Sequence, residues 1–184
     1  MVAERDSVPL FDDYVIRIEI PADYPLHLPI VFEESKAIPP QYEHYYADNS
    51  LCLGVTYELM DKLAINNNSF RYFFDEYIIG YFYSVSYYNK YGCFPFGERA
   101  HGTKGIIAYY YEKFKVTTTQ QIIYILGAVY NENYRGHLDC PCGSHIKGRR
   151  CHGTQILELI KSGRKNLIAS DLYEIIQYQR ENKR

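Results

Sequence analysis

The run Cys140-Pro-Cys142-Gly-Ser-His-Ile-Lys-Gly-Arg-Arg-Cys151-His152-Gly153 places three thiols and an imidazole within thirteen positions. These are ligand types that tetrahedral zinc takes, and the loop between the Cys-x-Cys and Cys-His pairs is short enough to fold them together. Gly143, Gly148 and Gly153 allow the tight turns this requires. Four protein ligands leave no open coordination position. The expected role of Cys140, Cys142, Cys151 and His152 is therefore a structural zinc staple, on a loop that Lys147, Arg149 and Arg150 make locally basic.

This motif accounts for three of the five cysteines. Of the other two, Cys52 is the stronger candidate for covalent chemistry. It lies in Leu51-Cys52-Leu53-Gly54, after a polar, tyrosine-rich segment from Gln41 to Ser50. A thiol starts near a pKa of about 8.5, so a nucleophilic cysteine needs a base or a preorganised donor beside it. His44 is the candidate base or positioner and Asn49 the candidate oxyanion donor. His101, in Gly97-Glu98-Arg99-Ala100-His101-Gly102, is a second candidate base if that loop folds over the site. Cys93, between Gly92 and Phe94, is the rival nucleophile, but its neighbours show no donor pattern and the next charge after it is Glu98.

The elements that must hold Cys52 can be read upstream of it. Tyr14, Ile16, Ile18 and Ile20 alternate with Val15, Arg17 and Glu19, a period-two pattern that predicts a half-buried strand. Three prolines from Pro21 to Pro29 fix φ and withhold donors, predicting an extended turn at a sheet edge. Ile30 to Glu33 resumes a strand, and Ile38-Pro-Pro40 breaks it. One or two helical turns are expected from Glu58 to Ala64. A long helix capped by Ser69 follows, with Phe70, Phe73, Phe74, Tyr77, Ile78, Tyr81, Phe82 and Val85 at helical spacing. Further helices are expected over Thr103 to Phe114 and Thr118 to Tyr130, the second burying Ile122, Ile125, Leu126 and Val129. Two short C-terminal helices are expected over Gln155 to Lys161 and Asp171 to Arg180, with Ser170 capping the latter.

Strand, Pro-x-x-Tyr-Pro-x-x-x-Pro, strand, irregular polar segment and Cys-Leu, in that order, resemble the ubiquitin-conjugating enzymes. The His-Pro-Asn tripeptide of the eukaryotic members is absent, and thirteen residues before Tyr14 leave no room for the family's N-terminal helix. The metal pattern, with Gly143-Ser144 after its second cysteine, resembles the SEC-C zinc motif. Leu51 to Gly54, Ser86 to Gly92, Pro95 to Gly102 and Cys140 to His152 together resemble bacterial ubiquitin-conjugating-enzyme-like proteins of antiphage defence operons. These include short forms of the cyclic-oligonucleotide signalling system. The resemblance implies an α+β core of that type with a helical extension. It also implies a partner, the C-terminus of a cGAS-like nucleotidyltransferase, carried as a thioester on Cys52.

Length and composition set the frame. At 184 residues the chain can form a domain with an appendage, and the change to Arg, Gly, His, Cys and Pro at Tyr134 suggests residues 1–133 and 134–184. A net charge of −2 does not advertise nucleic acid as a partner. The first twenty residues are too charged for a secretory signal, and Tyr77 to Tyr88 is too short to span a bilayer, so a cytoplasmic protein without a membrane segment is expected. Two other functions fit these residues: a non-catalytic protein-binding adaptor on the same fold, and nucleic-acid binding through the basic zinc loop. The latter has only four cationic residues in the loop and its ends.

Overall fold

The computed structural model describes residues 8–42, 44–95, 100 and 102–182. The protein is α+β and forms two compact units, residues 1–99 and 100–184.

In the first unit β1 (Ile16–Glu19) pairs antiparallel with β2 (Ile30–Glu33), Ile18 facing Val31 in the register. The alternation in sequence appears as alternating burial, with Ile16 and Ile18 partly buried and Arg17 and Glu19 exposed. Between the strands the proline segment is tightly turned: Tyr24 N donates to the Pro21 carbonyl and Leu26 N to the Asp23 carbonyl. The sheet continues beyond β2 through isolated bridges. Ser50 pairs with Phe32 and Leu51 with Tyr45, so residues 50–52 run between β2 and residues 44–46.

Helix α1 (Thr56–Ile65) is a little longer than expected and buries Tyr57, Leu59, Met60 and Leu63. The long aromatic helix is capped as predicted, the Ser69 hydroxyl accepting from Tyr72 N at 3.3 Å. It runs as α2 (Phe70–Phe73), a π turn (Phe74–Ile78) and α3 (Ile79–Tyr91), ending at left-handed Gly92. The wider turn inserts one extra residue, so the buried stripe steps from Phe73 to Ile78 and then to Tyr81, Phe82 and Val85. These side chains, with Val31, Ile38, Tyr42, Leu51 and Leu63, form the first core.

The second unit is helical. Helix α4 (Gly102–Phe114) buries Ile107, Tyr110 and Phe114. Helix α5 (Thr119–Tyr130) starts at a reciprocal Thr118–Gln121 capping box and buries the predicted stripe Ile122, Ile125, Leu126 and Val129. Helices α6 (Gly153–Lys161) and α7 (Lys165–Glu181) complete it. The last helix corrects one expectation. It begins five residues before Ser170, which lies inside it, and Asp171 is a buried interior residue. The compositional change at Tyr134 falls within this unit, because α5 packs on α6 and α7 from both sides of it. No described helix is long and apolar enough to cross a membrane.

Candidate functional site

Among the described residues, each unit brings thiol and imidazole groups into one neighbourhood. In the first, residues 44–52 fold back as a hairpin. Tyr46 N donates to the Ser50 carbonyl at 2.9 Å and Cys52 N to the His44 carbonyl at 2.9 Å, on either side of the Tyr45–Leu51 bridge. His44 and Cys52 are therefore directly opposite in the register, and opposing residues of an antiparallel pair project to the same face. The turn is built by Asp48 and Asn49. Asp48 accepts from the backbone N and hydroxyl of Ser50 at 3.0 and 2.6 Å, which holds its pKa below the usual carboxylate range. Asn49 takes the left-handed conformation, φ 66°, which asparagine tolerates.

The His44 ring lies in an aromatic recess, 4.7 Å from the Tyr42 ring, 5.3 Å from Phe94 and edge-on to Tyr81 at 6.4 Å. The Tyr81 hydroxyl donates to the His44 carbonyl at 3.0 Å, so that oxygen accepts from both Tyr81 and Cys52. Burial, and then negative charge on Tyr42, Tyr45 or Cys52, pushes Tyr81 well above its ordinary pKa, so it stays a donor. Cys52 is partly exposed, between buried Leu51 and partly buried Leu53. Thus Cys52 and His44 are brought together. Asn49 is exposed, with its backbone committed to the turn. Cys93 is exposed beside Phe94. His101, with Glu98 and Arg99, lies outside the described residues. Tyr81 is the participant that sequence reasoning missed. It stands in the predicted helical stripe, and a buried tyrosine hydroxyl needs a partner, which was the available signal.

In the second unit the donor atoms of Cys140, Cys142, Cys151 and His152 all lie within 4.8 Å of one another, close enough to share one metal ion. A short antiparallel ladder presents them: Cys140 N donates to the Ile146 carbonyl and Gly148 N to the Leu138 carbonyl, both at 2.8 Å, around the Asp139–Lys147 bridge. His152 Nδ1 is 3.3 Å from Cys140 Sγ and 3.2 Å from Cys151 Sγ, and Cys142 and Cys151 Sγ are 3.6 Å apart. His152 Nε2 is 2.7 Å from the Phe114 carbonyl. A carbonyl only accepts, so Nε2 carries the proton and the Nδ1 lone pair faces the thiols. Burial pushes the Cys140 thiol up to about 12. Against its own burial, hydrogen bonds led by those from Ser144 bring Cys142 down to about 6.

The glycines fit this loop for two different reasons. Gly143 has φ 79° in the Cys140–Gly143 turn. Gly148 and Gly153 pack on the Tyr134 ring, and a Cβ on Gly153 would stand 2.7 Å from the Gly148 carbonyl oxygen.

Comparison with protein-family models, with curated proteins and with solved structures finds no match to this chain.

Proposed function

We propose that the first unit is a cysteine-dependent acyl carrier of the ubiquitin-conjugating kind and that the second is stapled by zinc. The observation that carries the reading is the pairing of His44 with Cys52 across the hairpin, which sets a potential base beside a partly exposed thiol. The order of strand, proline turn, strand and polar hairpin before the cysteine supports the ubiquitin-conjugating type of core.

In the first step Cys52 gives up its proton and its sulfur attacks an activated C-terminal carboxyl of a partner protein, an acyl adenylate or thioester. A C–S bond forms and the partner's leaving group departs. In the second step an amine, such as a lysine side chain, attacks the carbonyl. A C–N bond forms, the C–S bond breaks, and Cys52 regains its proton. In this reading His44, opposite Cys52 in the hairpin register, receives and returns that proton. Following the motif resemblance, the partner is the C-terminus of a cGAS-like nucleotidyltransferase, and the setting is cytoplasmic antiphage defence in bacteria.

Zinc suits the other cluster. A tetrahedron with Zn–S bonds of about 2.3 Å and a Zn–N bond of about 2.0 Å has edges of about 3.5–3.8 Å. Three of the six donor separations, 3.2–3.6 Å, come close to those edges, and all six lie within 4.8 Å. With four protein ligands the ion has a structural role.

The test is incubation with the partner and its activating system, followed by non-reducing electrophoresis. A thiol-sensitive adduct should form, persist in Cys93→Ala and vanish in Cys52→Ala, and His44→Ala should slow its formation by about 10²-fold or more. An adduct that survives Cys52→Ala refutes the assignment.

A further inference from the structure

The net charge of −2 conceals a division between the two units. Residues 1–99 carry 15 acidic and 7 basic side chains, whereas residues 100–184 carry 7 acidic and 13 basic ones, net −8 and +6. A polyanion approaching this protein meets one repelling unit and one attracting unit.

Within the cationic unit the metal loop gathers four cations. Arg135, Lys147, Arg149 and Arg150 are all exposed, against a single carboxylate, Asp139. Asp139 is committed to Lys147 at 2.8 Å and His145 at 3.7 Å. Arg135, Arg149 and Arg150 make no ion pair among the described residues. They lie close together, because Arg149 N donates to the Gly136 carbonyl and Arg150 follows in the same 3₁₀ turn, Gly148–Arg150. The loop also exposes two apolar side chains, Leu138 at 52% and Ile146 at 49%, one residue from the Asp139–Lys147 bridge on each arm. The ladder and the packing of Gly148 and Gly153 on Tyr134 hold these groups in fixed relation.

We propose that this surface binds single-stranded nucleic acid, with phosphates on Arg135, Arg149 and Arg150 and an unstacked base against Leu138 and Ile146. Guanidinium forks match phosphate oxygens, and a single strand offers phosphates together with accessible apolar base faces. A duplex hides those faces in its stack, and an acidic peptide offers charge without them.

The test uses the full-length, zinc-loaded protein and fluorescence anisotropy with a labelled single-stranded RNA of about 20 nucleotides, in salt from about 50 to 300 mM. Three or four phosphate contacts predict a slope of log K against log salt of about −2 to −3. Arg149→Glu with Arg150→Glu should weaken binding at least about tenfold and flatten that slope. Leu138→Ser with Ile146→Ser should weaken single-strand binding about fivefold and leave the slope unchanged. Zinc content and circular dichroism must match the parent in both variants, and Cys52→Ala should bind like the parent, which separates this activity from acyl transfer. No binding at the lowest salt overturns the proposal. So does equal affinity for the matching duplex, for polyglutamate or for anionic vesicles, or a charge reversal without effect.

Discussion

Replacing Asp171 with asparagine should change how the second unit's stability responds to pH. The Asp171 side chain on α7 is 5% exposed, and the Tyr110 hydroxyl of α4 donates to it at 2.7 Å. Burial raises its pKa from an ordinary 3.8 to about 6, opposed by the Tyr110 hydrogen bond and assisted by nearby Glu174. Because the folded pKa is the higher one, the folded state holds more protons between these values. Stability is therefore greatest below about 4 and declines as pH rises to about 6. A shift of about 2 units at about 1.36 kcal/mol each is worth about 3 kcal/mol. Asparagine has no charge to bury and keeps an oxygen for Tyr110. The stability difference, Asp171→Asn minus parent, should then grow by about 3 kcal/mol between pH 4 and 7. Urea unfolding of both proteins, metal-loaded and followed by helical circular dichroism at half-unit pH steps, measures that difference, and protonation of the metal ligands cancels in it. A difference that stays flat across this range refutes the reasoning.

Four further outcomes are expected in the same unit. Gly153→Ala forces a methyl against the Gly148 carbonyl and Tyr134, and should cost about 1–3 kcal/mol and loosen the metal, read by competition with a chromogenic chelator. Gly127→Ala on α5, where a Cβ meets nothing within 4 Å, should instead raise the melting temperature by an amount equivalent to about 0.5–1 kcal/mol. Removal of the metal by a strong chelator at neutral pH should lower the melting temperature of the second unit. Acidification to about pH 5 should release the ion without chelator, because protons then compete for the three thiolates and the imidazole, a release followed by zinc-sensitive dye.

The helices were legible where a local signal sufficed. The period of Ile122, Ile125, Leu126 and Val129 places α5 and fixes its buried face, and the capping box at its start adds Gln121 to the expected Thr118. Two features were not legible because they depend on tertiary packing. The π turn leaves a sequence rich in apolar residues on every side, so an extra residue between Phe73 and Ile78 does not disturb any visible period. In α7 the true start, Lys165, is preceded by Arg164, whose side chain makes no cap, whereas Ser170-Asp171 looks like a cap in sequence. Burial of Asp171 beside Tyr110 overrides that local preference.

The two sites differ in legibility for a related reason. Four potential ligands within thirteen residues are bound to be near one another, so spacing alone locates the candidate metal cluster. Cys52 and His44 are eight residues apart, a separation that places them together only if the chain turns between Tyr46 and Ser50 and pairs in one register. A slip of one residue would send the two side chains to opposite faces. What selects the register is the Asp48-Asn49 turn: a side chain that captures Ser50, then a residue able to hold φ at 66°. Asn49, singled out as an oxyanion donor, thus has a prior role through its backbone. It makes the turn that sets His44 opposite Cys52 in the register, and Tyr81 then fastens the His44 end of the pair from the helix behind it.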